Sequence, residues 1–133
     1  MVLTIVALVV GALTPSVRRQ LMHARVNRAA SVVAGDFFLA QSIAGRQRVP
    51  VTITFDGTAQ TTTITDSRVS ATVLVTRRFG LDSDYKLVSF GASPTSVLVL
   101  PNGMATTTVI VTLSDGSYQR QVRLSRAGQV RIL

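Results

Sequence analysis

The stretch that most limits how this chain can fold is its opening, MVLTIVALVVGAL, an apolar run from Met1 to Leu13 that gives way to Thr14, Pro15 and then the basic SVRRQ. A bilayer core about 30 Å thick needs roughly 20 apolar residues at about 1.5 Å each, so this run falls short of a full span. A secretory signal peptide carries its cations before the apolar core, whereas here Arg18 and Arg19 follow it. A soluble core helix would have to be surrounded on every side, because apart from Thr4 the run has no polar face.

The run heads a chain of 133 residues, enough for one domain plus an appendage. Its charge is lopsided. The net charge is +8, with 13 Arg against a single Lys, and six Asp with no Glu. Such a balance favours anionic partners, nucleic acid or acidic lipid among them. There is no cysteine, so disulfides and thiolate metal sites are excluded and the compartment is left open.

Beyond Pro15, apolar residues recur at Val17, Leu21, Ala24, Ala29, Val33, Phe37, Ala40 and Ala44, the spacing of one helix face. Proline is tolerated inside membrane helices as a kink, so residues 1 to about 44 are expected to form one bent helix of roughly 65 Å, with Gly45 as its C-cap. Gly35 weakens that helix by about 1 kcal/mol without forcing a break.

After Gly45 the period changes. VPVTITF (49–55), AQTTTIT (59–65) and VSATVLVT (69–76) are rich in β-branched residues and separated by Asp56-Gly57 and Asp66-Ser67, which predicts strands joined by tight turns. A loop and one short strand around Lys86 to Phe90 follow. Then come TSVLVL (95–100), MATTTVIVTL (104–113), SYQRQVRLS (117–125) and a final QVRIL, which read as an antiparallel meander. The expected architecture is α+β, a protruding N-terminal spike whose second half packs across an antiparallel sheet.

Catalytic and metal chemistry have no foothold in the pattern. The one histidine, His23, sits in a cation-rich helical turn with no carboxylate within a turn of it, and reads as a solvated residue. Asp56, Asp66, Asp82 and Asp115 stand beside turn residues, where Asp is expected on backbone grounds. No nucleophile elbow or phosphate-cradling glycine loop is present. The chain reads as a non-enzyme with no cofactor and no small-molecule substrate.

The order of parts, an apolar run, a proline, an amphipathic helix ending A-x-x-I-A-x-R-x-x-P, and a β domain closing on L-P-N-G, T-L-S-D-G, R-Q-V-R-L-S and A-G-Q-V-R, resembles the type IV pilin-like minor pseudopilins of type II secretion systems and the related minor pilins, the GspH/FimT family. The most specific part is the block from Leu100 to Ile132. Members are made with a short basic leader, cut by prepilin peptidase, and begin their mature helix with an F-T-L-x-E type sequence. This chain carries none of these, and the resemblance implies that Met1 is an internal methionine. About seven further residues before it would bring the run to the length a membrane span requires.

The resemblance implies a pilin-like fold in two parts: residues 1–15 as the membrane and filament-core segment, and 16–133 as a periplasmic domain with helix 16–44 and β domain 46–133. Met1, Leu3, Ile5, Val6, Leu8, Val9, Val10, Leu13 and Pro15 would pack in the bacterial inner membrane and then against other pilins or pseudopilins of the filament. The implied role is a minor pseudopilin of the type II secretion pseudopilus, involved in protein secretion. The alternative is a minor type IV pilin that binds DNA non-specifically during natural transformation. Some family members use a C-terminal G-R-x-R motif for this, and here the matching positions are Gly128, Gln129, Val130 and Arg131. Strand alternation places Arg123 and Arg131 on one solvent face, with Arg126 in the connecting turn. The cations from Arg18 to Arg28 would meet lipid phosphates or acidic residues of a neighbouring subunit.

Overall fold

The computed structural model describes residues 2–68 and 72–133, and within the helix the side chains of residues 12–16 are also left undescribed. The expectations for Met1, Leu13, Pro15 and the start of a strand at 69–71 therefore lie outside the described residues. One helix, α1 (Val2–Gln47), is followed by β1 (Val51–Asp56), β2 (Thr61–Asp66), β3 (Val73–Arg78), β4 (Ser89–Ser93), β5 (Ser96–Val99), β6 (Val109–Ser114), β7 (Gln119–Leu124) and β8 (Val130–Ile132).

The helix splits into a packed and a bare half. Val26, Ala29, Ala30, Val33, Phe37, Ala40 and Ala44 are buried. They recur at three- and four-residue steps and face β1, β5, β6, β7 and β8. The alanines let the strands approach closely. The expected apolar face began at Val17, but Val17 and Leu21 are 52% and 53% exposed and Ala24 is exposed too. The reason is length. A helix of 46 residues is about 69 Å long, whereas a six-residue strand covers about 20 Å, so the periodicity outruns the layer that could bury it.

Gly45 is not the cap. The residue in the left-handed conformation is Arg48, at φ 55, and the Val49 N–H donates to the Ala44 carbonyl at 3.2 Å. That six-to-one bond is a Schellman closure, and Ala44 and Val49, the apolar positions that flank such a closure, are both buried.

The strands form two four-stranded antiparallel sheets, β3-β2-β1-β5 and β4-β6-β7-β8. The expected C-terminal meander holds for β6, β7 and β8, but β5 leaves it to pair with β1. There Val51 faces Val99 and Ile53 faces Val97, all four buried, so β5 completes the apolar row of the first sheet. Residues 104–108, expected as strand, form no strand but an isolated bridge, Val99 to Ala105, with the Ala105 and Thr106 N–H groups on the Arg126 and Leu98 carbonyls. The strand expected around Lys86 to Phe90 begins at Ser89, because Lys86 is left-handed and Leu87 turns inward, its N–H on the Phe79 carbonyl at 2.9 Å. Between the layers, Phe55 meets Phe37 and Phe90 at centroid distances of 6.0 and 6.4 Å, and Phe79 stacks on Phe90 at 5.1 Å.

Two polar contacts fix the buried half of the helix on the sheets. Asp36, 2% exposed, accepts from Arg77 Nε at 2.6 Å, which ties the edge strand β3 to α1. Gln41 Nε2 donates to the carbonyls of Gly103 at 3.2 Å and Gly128 at 2.8 Å. The two turns so clamped are built alike. Gly103 N–H donates to Leu100 and Gly128 N–H to Ser125, each glycine at positive φ, while Leu100 N–H reaches Met104 and Ser125 N–H reaches Gln129. These are type I turns closed by a left-handed glycine. They give the L-P-N-G and A-G-Q motifs a structural reason.

Candidate functional site

The bare half of α1 is the most unusual surface. Val2, Leu3, Ile5, Val6, Leu8, Val9 and Val10 are all more than half exposed, Leu3 reaching 87%. They lie all round the helix rather than on one stripe, because the sequence has no polar period there. Burying such side chains gains about 1.5–3 kcal/mol each, so a continuous exposed set of them is a contact surface. Among the described residues, no helix is long and apolar enough to cross a membrane.

A basic collar follows. Arg18, Arg19, His23, Arg25 and Arg28 are all exposed. The expectation of a merely solvated His23 needs correction, because its ring lies on Tyr118 with centroids 4.1 Å apart. Arg28 sits 6.0 Å from the centroid of the Tyr85 ring. Asn27 Oδ1 accepts from Tyr118 Oη at 3.1 Å and Arg120 Nε at 2.9 Å. Chain separation hid these contacts, since Asn27 and Arg120 are 93 positions apart. Next to Tyr118, burial pushes the Asp115 carboxyl up. The N–H groups of Tyr118 and Ser117, the Ser117 hydroxyl and the charge of His23 together outweigh this and hold it below its ordinary range.

At the other end, Arg123 and Arg131 face each other directly across the β7–β8 pair, both exposed. With Ser125 and Gln129 they line a cleft of about 60 Å³. Arg126 is exposed in the turn between the strands. Like charges opposite one another destabilise a strand pair, and an anion between them would relieve that repulsion. Ile110 stands on the other side of Arg123, so no carboxylate flanks it in the sheet. Arg120, on the same strand, is turned inward to Asn27 and the Leu133 carbonyl.

The remaining titratable groups serve the fold. Burial pushes the Asp36 carboxyl up, opposed by the hydrogen bond and charge of Arg77, and the net direction is upward. Asp66 is held low by the hydrogen bonds and charge of Arg68, against a smaller opposing effect of burial. Asp56 Oδ1 accepts from the N–H of Thr58 and Ala59, as a turn aspartate should. Among the described residues no three His, Cys, Asp or Glu side chains cluster as a metal set. Gln41, Asn27 and the Asp36–Arg77 pair were not singled out in the sequence. The one available signal was an aspartate standing among the apolar positions Val33, Phe37 and Ala40.

A family profile described as Type II transport protein GspH matches residues 29–128. This chain belongs to the GspH family. The matched region begins where α1 meets the sheets and ends at the clamped Gly128. The family fold recurs in solved structures. The type IV minor pilin FimU of Pseudomonas aeruginosa is 18% identical with a TM-score of 0.66, covering 84% of this chain and 90% of that one. The minor pseudopilin EpsH from the Type 2 Secretion System of Vibrio cholerae is 14% identical with a TM-score of 0.63, covering 82% and 96%. No curated protein matches the chain. The GspH-family chain is thus a pilin-like protein, a long N-terminal helix on antiparallel sheets. Its family and fold neighbours are structural pilins and pseudopilins rather than enzymes.

Proposed function

We propose that this chain is a minor pseudopilin, a structural subunit of a type II secretion pseudopilus. The observation that carries the reading is the bare apolar half of α1 running straight into a helix packed on a GspH-family β domain. On this reading residues 1–15 are the membrane and filament-core segment that anchors the subunit in the bacterial inner membrane. Residues 16–133 stand in the periplasm. In the filament the same apolar side chains pack on neighbouring helices, since lipid and helix bundle are both apolar. Deleting residues 1–15 tests this. The shortened chain is expected to be soluble and to melt as the full chain does, while the full chain needs detergent. Loss of folding on that deletion refutes the reading, because the apolar segment would then be part of the core.

A second reading, a minor type IV pilin that binds DNA, is favoured by Arg123 opposite Arg131 with Arg126 beside them. No aromatic ring is paired with these arginines among the described residues, so binding would be to phosphates and independent of sequence. A mobility shift with residues 16–133 is expected to lose affinity with a log-log salt slope of about −2 to −3. No binding at low salt, or binding unchanged by Arg131→Ala, removes this reading.

A further inference from the structure

Between Val2 and Gln47 the cations are Arg18, Arg19, Arg25, Arg28 and Arg46 with His23. The only acid there, Asp36, is buried on Arg77. Arg28 and His23 already rest on tyrosine rings. Arg18 and Arg25 make no ion pair among the described residues. They are seven positions apart, two turns and about 10 Å along one helix face. With Leu21 and Met22 between them they line a shallow cleft of about 330 Å³.

A second copy of this chain is a poor occupant for that cleft. Asp36, Asp66 and Asp82 are paired with the chain's own arginines, Asp56 and Asp115 accept backbone N–H groups of their turns, and Asp84, exposed in the loop between β3 and β4, is a single carboxylate off the helix rather than two spaced along one. A helix of another copy would bring arginine against arginine. A lipid headgroup fits one cation but not both. The headgroup layer adds about 5–7 Å beyond the hydrocarbon core, while Arg25 is about 18 Å past Leu13 along an upright helix. Leu21, 53% exposed, would then stand in water beyond the headgroups.

We propose that Arg18, Leu21, Met22 and Arg25 seat a helix of a different subunit, one carrying two carboxylates about two turns apart with an apolar side chain between them. This rests on the filament-subunit reading and adds the chemistry of the neighbour. It is acidic and it is not this chain.

The double variant Arg18→Glu, Arg25→Glu supplies a helix of that description on the same scaffold. Both side chains are exposed, so its melting curve should overlay the wild type's. Sedimentation in non-ionic detergent compares full-length wild type, variant and an equimolar mixture. In an antiparallel pairing two attractive contacts replace two repulsive ones, so the mixture should associate about thirty-fold more tightly than either chain alone. The difference should vanish in about 0.5 M salt. Wild type that self-associates as tightly as the mixture overturns the proposal. So does a mixture with no preference, or binding of wild type to phosphatidylglycerol vesicles that Arg25→Gln weakens tenfold. The subunit reading is decided separately, by the deletion of residues 1–15, which leaves Arg18 and Arg25 in place.

Discussion

Gly128 is where the packing of this protein is least forgiving. Its φ is +89°, and a Cβ placed there would run into the Gly103 carbonyl oxygen and crowd Gln41 Nε2. In Gly128→Ala the left-handed conformation alone costs about 1–2 kcal/mol. The overlap is with backbone, so no side-chain rotation relieves it, and the two turns must separate. Gln41 can then no longer donate to both carbonyls, which forfeits roughly another 1–2 kcal/mol. Together the loss is about 3 kcal/mol. For a chain of this length that lowers the melting temperature by about 10 °C. Gly116→Ala is the control, because Gly116 has φ +103° but open space around its Cβ. It should cost only the conformational part, a few degrees. Thermal melts of residues 16–133 measure both. Equal losses at Gly128 and Gly116 would refute the close-approach argument. So would a double-mutant cycle in which Gln41→Ala costs as much in the Gly128→Ala background as in wild type.

Three further substitutions probe the packing of α1. Arg77→Ala strands the buried Asp36 carboxylate and should destabilise by about 2–3 kcal/mol at neutral pH, less than for a fully buried pair because Arg77 is 41% exposed. The Asp36 carboxyl is already raised in the folded protein, so folding takes up its proton more readily than the unfolded chain does. Its contribution is therefore most favourable at acid pH and is lost as pH rises through its folded value. Arg77→Ala raises that value further, so the gap between variant and wild type, followed by urea melts, should narrow as pH falls. A gap that widens in acid would contradict this. Arg48→Gly removes the strain of a left-handed arginine at the helix end. It should stabilise by about 0.5–1 kcal/mol in the same melts, whereas Gly45→Ala, inside the helix with only the Pro101 carbonyl nearby at 3.7 Å, should stabilise slightly as well.

Much of the molecule was legible locally. The change from helical to alternating period at about residue 45 follows from side-chain spacing. So do the alternations that make Val51, Ile53 and Phe55 inward and Arg123 outward. The turns at Asp56, Asn102-Gly103 and Ala127-Gly128 follow from backbone preferences that belong to single residues. The apolar run needed no partner to be recognised as a surface seeking one.

Contacts between distant segments were not legible, because nothing in a local pattern says what a face will meet. Val17, Leu21 and Ala24 share the spacing of Val33 and Phe37, yet only the latter have a sheet above them. TSVLVL alternates equally well as a neighbour of β6 or β1, and the pairing was decided by which apolar row had room. The helix runs to Gln47 and is closed by Arg48 rather than Gly45 because Ala44 and Val49 must both reach the core. By itself, then, the sequence determined the elements, their faces, the excess of positive charge and the bare apolar start. The tertiary structure decided where the helix stops being covered, and that Asn27, Asp36 and Gln41 are the polar groups holding it. It also brought Arg123 against Arg131, since strand register and layer extent are set by burial across many residues at once.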